Sequence, residues 1–217
     1  MSHRRGWSIE QDWINGIERR IEVKCHLFIQ GDARTHLYEI ASGAICLYTM
    51  LADGRRQVID FAFAGDLIGL GSADAEACNA QAIVSTEVKF LPLSVLLSAA
   101  ARDTKVALTL YEALSRELTA AREHLQCIGQ RGATERLAMF FVVLARKNAA
   151  RGCDPTTFEL PMTRADIADF LGLKLETVSR TLSKLKRQGL IEIEQSKTIR
   201  LTDPRALARL ARGDVRV

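Results

Sequence analysis

The 217-residue chain has no run of about 18 apolar residues, so no membrane-spanning helix is predicted. Its start, MSHRRGWSIEQDW, lacks the apolar stretch of a secretory signal. Both absences lead to the expectation of a cytoplasmic chain. No CxxC pair occurs. The five cysteines, Cys25, Cys46, Cys78, Cys127 and Cys153, are odd in number and widely spaced, and the four histidines are scattered. Neither a disulfide framework nor a zinc site is indicated, and free thiols are the default. Four prolines and fourteen glycines are no disorder signature, and 47% apolar residues are enough for a core. Strands do not alternate with long helices, which removes a dinucleotide-binding fold. GDLIGLG, with Gly65, Gly69 and Gly71, has no Walker lysine after it and reads as two tight turns.

What the chain does have is charge in one place. Residues 131–217 hold 17 Lys and Arg against 10 Asp and Glu, a net of +7, while the remainder holds 13 against 16, a net of −3. A polyanion partner is expected for the C-terminal part alone. That part contains Met162 to Gly189, which reads as two helices joined by a tight turn. The first runs from Thr163, a plausible N-cap with Asp166 three residues on, to Leu171. Gly172 lets the chain turn. The second runs from Leu175 to Gln188, with Gly189 at its end. Leu175, Val178, Leu182 and Leu185 recur at helical spacing and predict a buried face. Thr177, Arg180, Thr181, Lys184 and Arg187 fall opposite, with Glu176 and Ser179 beside them. This is the pattern of a helix-turn-helix. Glu176 can accept from a cytosine amino group, Arg180 can donate to guanine in a major groove, and Ser179 can reach a base or a phosphate.

Ahead of this pair, a short helix is expected over Ile9 to Ile17. Short strands follow over Ile21 to Cys25, His36 to Ala41, Ala44 to Met50, Arg56 to Phe63, Gln81 to Val84 and Glu87 to Pro92. Asp53-Gly54 between two apolar strands is a hairpin signal, and many short strands at this spacing predict a small all-β barrel or sandwich. Leu93 to Ala101 reads as a helix, and Asp103 to Ile128 as a long one. Val106, Leu110, Ala113, Leu114, Glu117, Leu118, Ala121, Leu125 and Ile128 give it a face wide enough to cover the β domain and to meet a partner helix. Gly129 and Gly132 bracket a hinge before a helix over Ala133 to Arg151. Phe158 to Leu160 is a candidate strand. Leu190 to Glu194 and Thr198 to Leu201 form a wing around the turn Gln195 to Lys197, and Asp203 to Ala211 is a last helix. Lys197, Ser196 and Arg200 suit phosphate contacts, which set register without reading sequence.

From about Ile17 to Ala211 the chain resembles the cyclic-AMP-receptor and fumarate–nitrate-regulator superfamily of bacterial transcription factors. It is most similar to the fumarate–nitrate branch with its nitrogen-fixation K-type members. The resemblance is carried by Leu27-Phe28, Gly31-Asp32, Leu37-Tyr38, Ser42-Gly43, Asp53-Gly54 and Ala64-Gly65-Asp66-Leu67. Further on it is carried by Glu135-Arg136-Leu137-Ala138, Met162-Thr163-Arg164, Asp166-Ile167, Leu173, Glu176-Thr177-Val178-Ser179-Arg180 and Leu182.

The resemblance implies an α+β chain in three parts. Residues 1–102 would be an N-terminal arm and a double-stranded β-helix, or jelly-roll, domain of cyclic-nucleotide-binding type. Residues 103–130 would be a dimerisation helix and hinge, and residues 131–217 a winged helix-turn-helix. It implies a homodimeric regulator, expected to be an activator of anaerobic or microaerobic genes, that binds palindromic double-stranded DNA and contacts RNA polymerase. Glu176, Ser179 and Arg180 would read a TTGAT-N4-ATCAA-like site. Thr163, Arg164, Thr177, Lys184, Arg187 and Lys197 would touch phosphates. Leu110, Leu114, Glu117, Leu118, Ala121, Leu125 and Ile128 would form the dimer interface. Asp60 to Asp66 would be a loop offered to the polymerase.

Two familiar sensors do not match. The stretch GDLIGLGSADAEACNAQA carries no arginine for a cyclic nucleotide's phosphodiester, and Asp74 and Glu76 would repel one, so cyclic AMP is not expected. The first 24 residues hold no cysteine, and Cys25 and Cys78 are too few for a four-thiolate iron–sulfur cluster within one subunit. No cofactor is expected. The alternatives are a ligand-, haem- or cluster-sensing regulator of the same fold, the haem resting on His26, His36 or His124, or one modulated by a thiol. Some K-type members place a reactive cysteine where this chain has Thr163. Cys153, beside Arg151, is the candidate redox residue here. An enzyme is not expected, since no clustered His or Glu metal set occurs.

Overall fold

The computed structural model describes residues 17–71, 73–130, 132–194 and 197–214. The helix expected over Ile9 to Ile17 lies outside these except for its last residue, as do Gln195 and Ser196 of the wing turn. The chain divides into two compact units, Met1–Ala120 and Ala121–Val217.

The described residues of the first unit form eight strands before its helices. They are β1 (Ile17–Ile21), β2 (His26–Phe28), β3 (His36–Ser42), β4 (Ala44–Met50), β5 (Arg56–Phe63), β6 (Leu67–Ile68), β7 (Asn79–Ala82) and β8 (Thr86–Pro92). They form two antiparallel four-stranded sheets, ordered β1-β8-β3-β6 and β2-β7-β4-β5. Phe28, Tyr38, Ile40, Ile45, Ala62, Ile68, Ala80 and Val88, drawn from both sheets, make one buried cluster. The β3–β4 connection turns at Gly43, where φ is 90° and a Cβ would come within 2.6 Å of the Ser85 carbonyl oxygen. Asp53-Gly54 does make the β4–β5 hairpin. Leu51 N–H donates to the Arg55 carbonyl at 2.8 Å, and Asp53 holds Arg55 through its backbone N–H and its guanidinium. The register shifts from Leu47↔Asp60 to Tyr48↔Val58, which leaves Ile59 bulged and exposed.

Two expectations need correction. Of the strand expected over Ile21 to Cys25, Ile21 ends β1 and the rest is the turn between β1 and β2. Val23 is exposed, Lys24 has φ 69°, and Cys25 N–H bonds back to the Glu22 carbonyl. The alternation of Ile21 and Val23 resembled a strand, but only Ile21 packs inward. Asp60 to Asp66 is not a loop either. It is the end of β5 and a turn, and Phe61, Ala62 and Phe63 are buried.

Helix α1 (Leu93–Arg102) and the start of α2 (Thr104–Gln130) close one side of this unit. Leu37, Leu91, Leu96 and Val106 are buried together, with Leu110 packed against them. The second unit contains the last turns of α2, then α3 (Ala133–Ala150), β9 (Thr157–Glu159), α4 (Arg164–Leu171), α5 (Leu175–Arg187), β10 (Ile191–Glu194), β11 (Thr198–Leu201) and α6 (Pro204–Arg212). β10, β11 and β9 form a three-stranded antiparallel sheet. α3 packs on α5, α6 and β9 around Leu137, Phe141, Ile167, Leu171, Val178, Leu185, Ile191, Ile199 and Leu207. The end of α2 joins this packing. His124 stacks on Phe170 with ring centroids 4.1 Å apart, Glu123 holds Arg146 at 2.7 Å, and Cys127 is buried.

Candidate nucleic-acid interface

The helical pair forms with a reciprocal cap. Asp166 N–H donates to the Thr163 hydroxyl oxygen at 3.1 Å, while the Thr163 N–H and hydroxyl both donate to Asp166 Oδ2, at 2.8 and 2.7 Å. This capping box satisfies two otherwise orphaned groups at the start of α4. It also commits Thr163, expected at a phosphate, to capping, because both its donors are spent on Asp166, while Arg164 beside it is exposed. At the other end Gly172 takes the left-handed conformation, φ 61°, and three residues later α5 has begun.

α5 buries Val178, Leu182 and Leu185. Thr181 is buried with them, contrary to its expected place on the open face. It stands three residues after Val178 and four before Leu185, so it shares their side of the helix. Leu175, expected on the buried face, is exposed in the first turn. The open face is Glu176, Arg180, Ser183, Lys186 and Arg187, with Thr177, Ser179 and Lys184 half-buried at its margins. Glu176, Ser179 and Arg180 therefore lie together near the helix's N-terminal end. No hydrogen bond or ion pair to another described residue engages their side chains, although Glu176 and Arg180 are four residues apart and oppositely charged. Helix surfaces ordinarily pair such residues. Here both stay available to something outside the chain.

The wing is different. Arg200 faces Glu192 across the β10–β11 ladder and is bound to it, and a second contact runs to Glu194 at 3.2 Å. Its guanidinium is thus already paired, whereas Lys197 is exposed.

Along α2 an exposed apolar stripe runs through Tyr111, Leu114, Leu118 and Leu125, which are 67, 48, 52 and 70% exposed, with Ala121 exposed between the last two. The spacing is 3, 4, 3, 4, the a/d pattern of a coiled-coil seam. Leu108 is exposed one turn earlier and Ile128 is half-buried at the far end. Leu110, expected in the interface, instead packs into the β-unit's core, and Glu117 is exposed beside the stripe. Tyr111 and Leu108 were not singled out in the sequence, although the heptad count from Leu118 reaches Tyr111.

The sensory candidates are dispersed. His26 Nε2 bonds the Tyr48 hydroxyl at 2.8 Å, His36 Nδ1 bonds the Thr35 hydroxyl at 2.8 Å, and His124 lies on Phe170. Cys25 is bonded through its carbonyl to Ala82 N–H, whereas Cys78 precedes β7. Four residues of extended strand, about 13 Å, separate them. Burial pushes the Cys78 thiol up to about 11, with Glu76 and Glu117 adding to the shift.

An arginine does reach the GDLIGLG stretch, from a loop far away in sequence. Arg34 Nη1 donates to the Gly71 carbonyl and, at 3.5 Å, to that of Gly69. Its charge is spent on the chain's own carbonyls, and it faces Glu76, whose buried carboxyl is raised chiefly by burial, with Arg34 opposing and Asp32 adding. Cys153 is exposed in the loop after α3. Its N–H donates to the Asn148 carbonyl, and Asn148 Oδ1 accepts from Arg151, so the guanidinium is drawn toward Asn148.

Comparison with known proteins agrees with this architecture. A profile of the cyclic nucleotide-binding domain matches residues 18–103, and one of the Crp-like helix-turn-helix domain matches residues 135–210. The nitrogen fixation regulation protein FixK of Bradyrhizobium diazoefficiens is 36% identical over 185 residues, 85% of this chain and 78% of that protein. The fumarate and nitrate reduction regulatory protein of Escherichia coli K12 is 35% identical over 201 residues, 91% of this chain and 80% of that one. The solved structure of FixK2 from Bradyrhizobium japonicum has a TM-score of 0.84 and 34% identity, covering 90% of this chain and 96% of its own.

Proposed function

This chain belongs to the cyclic-AMP-receptor and fumarate–nitrate-regulator superfamily of DNA-binding transcription regulators, close to its nitrogen-fixation K-type branch, and on that premise we propose that it is a homodimeric activator reading a TTGAT-N4-ATCAA-like palindrome. The observation that carries the reading is the uncommitted trio Glu176, Ser179 and Arg180 at the start of an otherwise packed helix. A protruding helix of this kind enters a major groove with its N-terminal residues on the base edges. Arg180 donates to guanine, Glu176 accepts from cytosine and Ser179 contacts a base or a phosphate. Arg164, Thr177, Lys184, Arg187 and Lys197 hold the backbone, with Thr163 serving as the cap that orients α4.

One recognition helix covers a half-site only, so the palindrome requires two copies. The α2 stripe of Tyr111, Leu114, Leu118, Ala121 and Leu125 supports that pairing. Within the dimer Glu117 flanks the seam. RNA polymerase is the further partner. Asp60 and the turn Ala64 to Asp66 are the parts of the proposed contact stretch that are not fully buried.

The β-unit acts without cyclic AMP, because Arg34 is turned onto Gly69 and Gly71 and a buried Glu76 faces the same loop. The expectation of no resident cofactor, and of Cys153 as the thiol through which oxidation would act, belongs to this proposal. Selection of bound duplexes from a pool randomised over about 20 base pairs, a span of two half-sites one helical turn apart, tests it. Recovery of inverted TTGA repeats supports the reading, and recovery of no common sequence or of an unrelated one overturns it.

A further inference from the structure

We propose that Arg136 is a positioning residue for base reading, acting through the turn between α4 and α5. This inference rests on the reading of Glu176, Ser179 and Arg180 given above. Arg136 stands in the first turn of α3, beside Glu135, whose carboxylate caps that helix by accepting the Gly132 N–H at 2.7 Å. Its guanidinium leaves α3 and reaches the far end of α4, where Nη1 donates to the Leu171 carbonyl at 2.9 Å. Leu171 is the last residue of α4, so its carbonyl has no successor in the helix and the negative end of the helix dipole lies there. A cation that donates a hydrogen bond suits both needs.

The same guanidinium lies over the turn itself. A Cβ placed on Gly172 would stand 3.7 Å from Arg136 Nη1. Within the turn Leu173 N–H bonds back to the Ala168 carbonyl at 2.9 Å. Only Gly172, Leu173 and Lys174 separate the two helices, and Glu176 and Ser179 follow within the next five residues. A small displacement of the turn therefore passes directly into the base-reading side chains.

Folding and reading should respond differently to loss of this bond. α4 and α5 are held together by Ile167, Leu171, Val178 and Leu182, all buried, so one half-exposed hydrogen bond is a minor part of their packing. Bidentate and charge-assisted contacts to base edges tolerate far less movement, of the order of 0.5 Å. Arg136 should matter more to discrimination than to stability.

The test compares the wild type with Arg136→Met, which keeps the stem and removes every donor, and Arg136→Lys, which keeps the charge and one reach to the carbonyl. Each is titrated against the TTGAT-N4-ATCAA duplex and a scrambled one at fixed salt, with circular dichroism to confirm folding. The wild type is measured first. If it binds both duplexes equally, the base-reading assignment falls and this inference with it. With a discriminating wild type, Arg136→Met is expected to weaken the palindrome at least tenfold and the scrambled duplex less than twofold, and Arg136→Lys to recover most of the loss. Amide exchange at Leu173 should quicken in the Met variant. Parallel weakening of both duplexes would mark Arg136 as a phosphate contact and overturn the proposal, as would unchanged discrimination or a Lys variant no better than Met. Should the Met variant not fold, Arg136→Gln, too short to reach Leu171, is read against the same outcomes.

Discussion

An arginine that stays unpaired with a glutamate one turn away forgoes a helix ion pair worth roughly 0.2–0.5 kcal/mol. On the proposed reading a guanine edge at Arg180 would return more, about 1–3 kcal/mol of discrimination for a good bidentate contact. Arg180→Ala should therefore cost about that much on the palindrome and relax preference at a single base position. Competition titrations with duplexes substituted at each half-site base would show it, and uniform loss at every position would not fit. The open positions of Glu176 and Arg180 were legible in the sequence because helical spacing puts them opposite Val178, Leu182 and Leu185, with Ser179 at the margin. Thr181 was not, because a threonine three residues from one core position and four from another is polar by type but buried by place. Arg34 was also illegible, since 34 residues lie between it and Gly69, the nearer of the two glycines its side chain reaches. Glu76 gives a pH expectation. Burial raises its carboxyl above the ordinary 4.5, against the pull of Arg34 and with Asp32 assisting. The folded chain then holds this proton more tightly than the unfolded one. Its stabilising contribution is complete below about 4.5 and is lost as pH rises through the folded value. Glu76→Gln should flatten the fall in melting temperature over that window, and an unaltered pH profile would contradict the assignment.

At the scale of elements, α2 carries two periodicities. Val106 and Leu110 pack into the β-unit and Ala113 is buried, while Tyr111, Leu114, Leu118, Ala121 and Leu125 stand exposed. The sequence showed a wide apolar face but not where it divides, because Leu110 and Leu114 are neighbours on the helix surface and either could belong to either side. Leu118→Glu should convert a dimer to monomer in analytical ultracentrifugation with little change in helical content, because the residue packs on nothing within its own chain that would need it buried. Tenfold weaker association or more is expected, and an unchanged dimer would place the interface elsewhere. The wing offers a second expectation. Glu192 and Glu194 hold Arg200 across an exposed ladder, and exposed pairs contribute only about 0–1 kcal/mol to stability. Glu192→Gln with Glu194→Gln should leave the melting temperature nearly unchanged. It should strengthen binding to scrambled DNA and steepen its salt dependence by roughly one counterion. The hairpin was plain in the sequence, but the pairing was not, because Glu192 and Arg200 meet only once the register Glu192↔Arg200 is set.

At the scale of the whole molecule, the positive charge of residues 131–217 and the negative charge of the rest divide the labour along the chain. The basic part presents the open face of α5, on which Glu176, Ser179 and Arg180 are uncommitted, and the acidic part presents a β-unit in which Arg34 is turned onto Gly69 and Gly71. The compact units change over at Ala120, so the last turns of α2 pack with α3 and α4 through Glu123, His124 and Cys127. Gly129 and Gly132 flank the break in helix between α2 and α3, whereas the packing changes over earlier, because a break in packing needs no break in helix. The central claim is that Glu176, Ser179 and Arg180 read an inverted TTGA pair through a dimer. Fluorescence-anisotropy titration of the protein against TTGAT-N4-ATCAA and a scrambled duplex, at one stated salt concentration, tests it most directly. The account predicts two protomers per palindrome and affinity about a thousandfold or more above the scrambled duplex, the lower range of specific over non-specific binding. Equal affinity for the two duplexes would contradict it.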